Sequence, residues 1–236
     1  MKKKYEITNE THPTNSNLKR IVALVTIARV VSAGEKGGWI ESEKNLSMYG
    51  DAWVYGNARV SGDAWVSGDA RVYGDAQVYG NARVSGDAWV SGDARVYGDA
   101  WVSGNAWVYG NARVYGDAQV SGDARVSGDA RVYGDAQVYG DAQVYGNAQV
   151  SGDAQVSGNA QVSGNEKIEK TTDLFVIGPC GSRNDYLTVT RTHCATGCFY
   201  GTHTELLEKS GDRKWTEQYK MIINLAIANF KWIDGK

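Results

Sequence analysis

The sequence predicts a mainly β fold, a long coil of very short strands followed by a small α+β unit. Three observations predict it. From Tyr49 to Val162 a six-residue unit (Tyr or Ser, Gly, Asp or Asn, Ala, a variable residue, Val) recurs without a break, nineteen copies in 114 residues. Twenty of the 29 glycines, Gly50 to Gly164 at steps of six, hold this register, while the chain has only 2 prolines. The apolar spacing does not follow a helical period, and a helix would lose roughly 1 kcal/mol at each of those glycines.

The coil follows from the unit itself. Ala-x-Val alternates with period two, so Ala and Val share one face and the variable residue takes the other. Gly followed by Asp or Asn tolerates positive φ and turns the chain every six residues. A three-residue strand cannot bury its face alone, so successive coils stack at about 4.8 Å, with Val and Ala forming an interior column. Upstream, residues 1–17 read as a polar arm. Residues 18–48 read as a cap and opening coil, built on the apolar, β-branched stretch Leu18 to Val31 with Trp39 and Ile40. Leu46 and Met48 fall in the Ala and Val slots by spacing. Residues 49–168 are the repeat and 169–236 the α+β unit. In that unit Leu174 to Ile177 and Tyr186 to Thr190 are expected strands, joined by the turn-rich segment Gly178 to Asp185. Gly197 to Thr202 is expected to lead into a helix with Thr202 and Glu205 at capping-box spacing. A final helix, from about Arg213 to Trp232, places Tyr219, Ile222, Ile223, Ala226 and Phe230 on one face.

Units such as Val54-Tyr55-Gly56-Asn57-Ala58-Arg59 resemble the hexapeptide repeat of left-handed parallel β-helices. The resemblance covers about half the chain and implies a triangular coil of three units, eighteen residues per turn. The segment Gly37-Gly38-Trp39-Ile40-Glu41, with Glu43-Lys44-Asn45-Leu46-Ser47, is similar to the start of a bacterial and prophage family labelled acyltransferase from its repeats. Leu187 to Thr192 and Gly197 to Thr202 resemble a C-terminal domain of phage-encoded proteins, a resemblance that implies no known activity.

Composition narrows the function. With 236 residues, 42% hydrophobic and 22% charged, the chain is neither disordered nor collagenous. Its formal charge of −2 offers no basic field for nucleic acid, and residues 49 to 165, with thirteen Asp and seven Arg, are more acidic than the rest. Three cysteines, with no apolar segment behind the N-terminal lysines, predict a reducing compartment, the bacterial cytoplasm, with a virion as the alternative. The longest apolar run, Ile21 to Val31, is far short of the ~20 residues of a membrane span.

An eighteen-residue turn stacks the outward residues into columns. One reads Trp53, Arg71, Trp89, Trp107, Arg125, Gln143, Gln161. A second reads Arg59, Gln77, Arg95, Arg113, Arg131, Gln149, and a third Trp65, Arg83, Trp101, Gln119, Gln137, Gln155. Tyr79, Tyr97, Tyr115 and Tyr133 form a column of their own. Such ladders stabilise the coil by self-stacking, and Arg above Trp suits cation–π contact. Flat aromatic and Arg surfaces are also those that partners bind. The candidate binding residues are therefore Trp53, Trp65, Trp89, Trp101, Trp107, Arg95, Arg113, Arg131, Tyr97 and Tyr115. The Asp and Asn column (Asp63, Asn81, Asp99, Asp117, Asp135, Asp153) reads as corner residues bonding their local backbone, ahead of a calcium site or DNA mimic.

Hexapeptide acyltransferases use a histidine base near a loop that breaks the coil, as the resemblance implies. Here His12, His193 and His203 all lie outside the repeat, and no insertion interrupts it. No catalytic residue, metal or cofactor is therefore assigned. The group Cys180, His193, Cys194, Cys198 and His203 does not fit zinc spacing, because adjacent His and Cys diverge on a strand; a hairpin with one buried cysteine is expected. A cysteine nucleophile there would lack a third orienting residue. The leading expectation is a non-catalytic scaffold of phage type that binds a macromolecular partner, a protein, and self-associates as a dimer or trimer. Inhibition of a bacterial defence system is the purpose the phage resemblance suggests. The alternatives are an acyltransferase with an inter-subunit site and a carbohydrate-binding or virion-surface protein.

Overall fold

The computed structural model describes residues 3–27, 29–181, 184–211 and 214–235. Three strands, β1 (Tyr5–His12), β2 (Asn15–Ala23) and β3 (Lys36–Ile40), precede twenty two-residue strands, β4 (Trp53–Val54) to β23 (Lys167–Ile168). The twenty form three parallel sheets in which residues eighteen apart are partners, Trp89 with Trp107, Arg95 with Arg113, and Trp101 with Gln119. The coil is thus three-sided. We call the side bearing Arg59 to Lys167 the first face, that bearing Trp53 to Gln161 the second, and that bearing Trp65 to Gln155 the third.

Each Ala from Ala52 to Ala160 and each Val from Val54 to Val162 is fully buried, as period-two alternation requires. Coils are joined by parallel ladders and by bonds at their flanks and corners. Trp89 N–H donates to the Ala106 carbonyl, Ser91 to Val108 and Asp93 to Gly110, each 2.9 Å. At the corners Gly98 has φ +74°, and a Cβ there would stand 3.0 Å from the Gly116 nitrogen. Only glycine suits both the left-handed backbone and the stacking distance.

At the N-terminal end the first sheet continues through β3, β2 and β1. The expected polar arm is therefore mostly strand, with its Tyr5 fully buried. Met1 and Lys2 of that arm lie outside the described residues. Gly37 and Gly38 lie so close over Val54 that a side chain at either would collide with the coil. The opening coil holds 20 residues rather than eighteen: Ile40 pairs with Val60, and Leu46 bridges Val66. Leu46 thus fills a Val slot, not the Ala slot its spacing predicts, and Met48 is only half-buried against the core. The two extra residues are taken up between Leu46 and Val54. Buried Asn45 fixes the preceding corner, between Ile40 and Leu46, accepting from the N–H groups of Glu41 (3.0 Å) and Ser42 (2.8 Å) and donating to the carbonyls of Gly62 and Ala64, both 2.9 Å.

The C-terminal unit has a four-stranded antiparallel sheet, β24 (Leu174–Cys180), β25 (Asp185–Thr190), β26 (His193–Thr196) and β27 (Phe199–Thr202). Helices α1 (His203–Ser210) and α2 (Lys214–Asp234) follow. Thr202 caps α1 as expected, its hydroxyl accepting from Glu205 N–H while the Glu205 carboxylate accepts from Thr202. The predicted face of α2 (Tyr219, Ile222, Ile223, Ala226, Phe230) is buried against Leu187, Val189, Cys194 and Leu206. Arg213, the expected start of that helix, and Ser182 and Arg183 of the expected turn lie outside the described residues. Among those described, no helix is long and apolar enough to cross a membrane.

Candidate functional site

The outward positions of the coil carry the candidate surface, and the three faces differ. On the first face Tyr79, Tyr97, Tyr115 and Tyr133 form a stack with centroid spacings of 4.9, 4.9 and 5.0 Å and planes within 4° of parallel. Burial by neighbouring rungs raises the Tyr79 and Tyr115 hydroxyls above the usual phenol range, with the adjacent Tyr97 adding to it. Arg95, Arg113 and Arg131 run beside this stack and are exposed. Among the described residues every ion pair lies in the two ends of the chain, so the repeat arginines have none.

On the second face Trp89 and Trp107 stack at 5.0 Å with planes 1° apart. Arg71 lies over Trp89 at 5.2 Å and Arg125 over Trp107 at 5.5 Å, closing both ends of the stack. Tyr73 meets Trp89 edge-on at 6.0 Å. Such contacts each contribute roughly 0.5–1.5 kcal/mol. They also cover the ring faces, leaving edges toward solvent. On the third face Trp65 and Trp101 are each 45% exposed, and the Trp101 indole N–H donates to Ser85 Oγ at 3.1 Å. Trp107, at 41%, is on the same turn as Trp101 across one corner.

The ten candidate residues therefore do not form one patch. Trp89 and Trp107 share the second face, Trp65 and Trp101 the third, and Arg95, Arg113, Arg131, Tyr97 and Tyr115 the first. Trp53 must be withdrawn. It occupies an outward position of the unit but is fully buried, because it is the first rung of its column and the N-terminal segment closes over it, with Tyr5 edge-on at 6.3 Å. The corner Asp and Asn also behave differently from expectation. Several corner Asn bond along the coil axis rather than to local backbone, Asn81 Nδ2 donating to Asp99 Oδ1 at 2.9 Å, Asn105 to Asp123 at 2.8 Å and Asn111 to Asp129 at 3.0 Å. Stacking at strand spacing brings the side chain of the next coil within reach.

The three histidines serve the ends. His12 lies edge-on to Trp39 at 4.9 Å, its pKa lowered by burial and by Arg59 and Arg20. His193 Nδ1 is 2.7 Å from Glu166 Oε1 and its ring stacks on Tyr200 at 5.1 Å. His203 Nε2 is 3.1 Å from the carbonyls of both Thr190 and His193, so this nitrogen carries the proton. Cys194 is buried in the β26–β27 hairpin, and burial pushes its thiol to about 12, which makes it inert. Cys180 is buried as well and Cys198 is exposed. Among the described residues no three His, Cys, Asp or Glu side chains converge as a metal site would require.

The repeat region is similar to the family model described as YdcK Beta solenoid repeat, matched over residues 52–68, 76–92, 90–104, 94–110, 106–122, 118–134, 124–140, 136–152 and 142–158. No curated protein sequence matches the chain at a significant level.

Proposed function

We propose that this β-solenoid is a non-catalytic scaffold that binds a protein partner through the aromatic corner between its third and second faces, centred on Trp101 and Trp107. The observation that carries this reading is the gradient of outward residues. Trp65, Trp101 and Trp107 are each more than 40% exposed in the earlier turns, whereas the columns end in Gln143, Gln155 and Gln161. Large exposed indoles with adjacent Arg are the side chains that dominate protein interfaces. A carbohydrate partner is less well served, because sugars stack on ring faces and those of Trp89 and Trp107 are covered by each other and by Arg71 and Arg125. Acyl transfer is less well served too, since His193 and His203 are held by Glu166 and by backbone carbonyls rather than poised as free bases. The C-terminal resemblance to phage-encoded proteins favours a partner in the bacterial cytoplasm, and a component of a defence system is the partner class we propose.

The test is capture from bacterial lysate followed by binding measurements with the purified captured protein. Trp101→Ala with Trp107→Ala is expected to weaken binding at least 100-fold, about 2.7 kcal/mol, while Gln137→Ala with Gln155→Ala leaves it unchanged. Unchanged affinity in the folded tryptophan variant, or micromolar binding of acetyl-CoA by calorimetry, overturns the proposal.

A further inference from the structure

The tyrosine stack of the first face ends at a gap. Val60 pairs with Val78, so the residue before Tyr79 in its column, one coil nearer the N-terminus, is Ser61. One face of the Tyr79 ring lies on Tyr97, and on the other side the column offers only a hydroxymethyl group. A cavity of about 200 Å³ opens there, lined by Tyr79 and Ser61, by Arg59 and Gln77 beside them, and by Asn15 and buried Leu18 of β2. A cavity of about 150 Å³ takes up benzene, so this one has room for a six-membered ring with a short substituent. None of the described residues lining it is acidic. Among the described residues Arg59 makes no ion pair, and its Nε is buried without a hydrogen-bond partner. Glu41, next to Ser61 in the ladder, is engaged elsewhere, its carboxylate accepting from Gly62 N–H at 2.7 Å. The pKa of nearby His12, lowered by burial and by Arg59 and Arg20, reports a cationic field at this edge of the coil.

We infer that this cavity binds a small aromatic acid, its ring laid on Tyr79 as the missing rung of the stack and its carboxylate against Arg59. The ladder sets the place of the ring: one rung up, it meets Tyr79 as Tyr79 meets Tyr97, offset and parallel at 4.9 Å. Ser61 makes the room. The repeat uses Tyr or Ser at this position, and the serine here keeps open a slot that a tyrosine would fill. Arg59 supplies the charge, and a carboxylate would give its guanidinium the partner that the chain does not. The Asn15 and Gln77 amides offer neutral donors and acceptors to a ring substituent. An amine would face Arg59 as a like charge, and a saturated ring would lose the stacking. The cavity is on a different face from the corner of Trp101 and Trp107, so it does not depend on the partner proposed there.

Titration of the full chain with phenylpropionate, followed by ligand-detected NMR, should show saturable binding with a Kd on the order of 0.1 mM, as suits a ligand of this size. Ser61→Tyr should abolish binding and leave the circular dichroism spectrum unchanged, because it closes the slot with a residue the repeat already uses. Arg59→Gln, which copies the next rung Gln77, should weaken binding at least tenfold. Phenethylamine and cyclohexylpropionate should bind the unaltered chain at least tenfold more weakly than phenylpropionate. The two variants test shape and charge separately, so if one fails to fold the other decides. Absence of saturation up to about 10 mM phenylpropionate, or undiminished binding to a folded Ser61→Tyr or Arg59→Gln chain, overturns the inference. Equal binding of phenethylamine overturns the acid, and equal binding of cyclohexylpropionate overturns the stacked ring.

Discussion

The two ends of the coil are closed by opposite chemistry, and the polarity of the ladder dictates which is which. The N–H groups of each variable residue, of the residue after each Val and of many corner Asp and Asn donate toward the C-terminus, so for these positions the first coil is left with carbonyls, and the last coil with N–H groups, that no neighbouring coil reaches. The N-terminal end answers with donors. Lys4 Nζ donates to the carbonyls of Ala52 (2.9 Å) and Gly50 (3.3 Å), Arg20 to those of Gly37 (2.9 Å) and Gly56 (2.8 Å), and the Tyr5 hydroxyl to that of Leu46 at 2.7 Å. The C-terminal end answers with acceptors. Thr171 Oγ1 takes Gln155 N–H at 3.0 Å, Thr188 Oγ1 takes Gln161 N–H at 2.9 Å, and Asp173 Oδ2 takes Glu169 (2.9 Å) and Lys170 (2.8 Å). The ends also differ in apolar content. The first is continuous with the core through fully or nearly buried Tyr5, Ile21, Ile27 and Trp53, while the second joins the C-terminal unit through partly buried Leu174 and Val176 together with Thr188, Glu166, His193 and Tyr200.

The sharpest way to break this comparison is at Trp53. Trp53→Ala removes a fully buried indole and should cost about 3–5 kcal/mol in urea unfolding. Trp107→Ala, which removes one exposed stacking partner, should cost less than about 1.5 kcal/mol. Equal losses would mean that the N-terminal cap contributes no more than an ordinary rung. Asn45→Ala comes next. It strands two backbone N–H groups and two carbonyls at a buried corner and should cost on the order of 3 kcal/mol. Asn45→Asp should be no better, because a carboxylate cannot donate to Gly62 and Ala64, and the same unfolding measurement tests it.

The C-terminal end should yield more quietly. Thr188→Val with Thr171→Val removes one acceptor from each of two terminal strands and should cost about 1–2 kcal/mol in total. Because the apolar side chains that cross that junction, Leu174 and Val176, are only partly buried, the loss should appear as protease sensitivity between Ile168 and Leu174 while the coil stays folded. Cleavage within the repeat as readily as at the junction would show the two ends to be equally coupled to the coil.

What the sequence revealed, and what it concealed, divides along the same line. The Val and Ala columns and the eighteen-residue register were legible because every unit reports the same environment. Trp53 was not, because its position in the unit says outward and only its place as the first rung says buried. Leu46 was misplaced for a related reason: counting by six cannot see the corner between Leu46 and Val54 that absorbs two extra residues. Thr171 and Thr188 gave no signal, since their role is defined by the unpaired N–H groups of a distant segment.

The smallest predicted effect tests whether the N-terminal donors work as charges or only as hydrogen bonds. Burial lowers the Lys4 ammonium to about 8, with Asp51 and Asp69 only partly opposing it. Its unfolded value is about 10.4. Between these two pH values the unfolded chain binds more protons than the folded one, so stability should rise as pH increases from about 8 toward 10. The gain should be about 1 kcal/mol, since solvent screens part of the shift. The neutral amine keeps its donors to Ala52 and Gly50, so deprotonation relieves the buried charge without opening the cap. Lys4→Met should abolish this rise and lower stability at pH 10 more than at pH 7. If thermal unfolding of Lys4→Met instead tracks the wild-type pH profile at a constant offset, the carbonyls of the first coil need a donor but are indifferent to its charge.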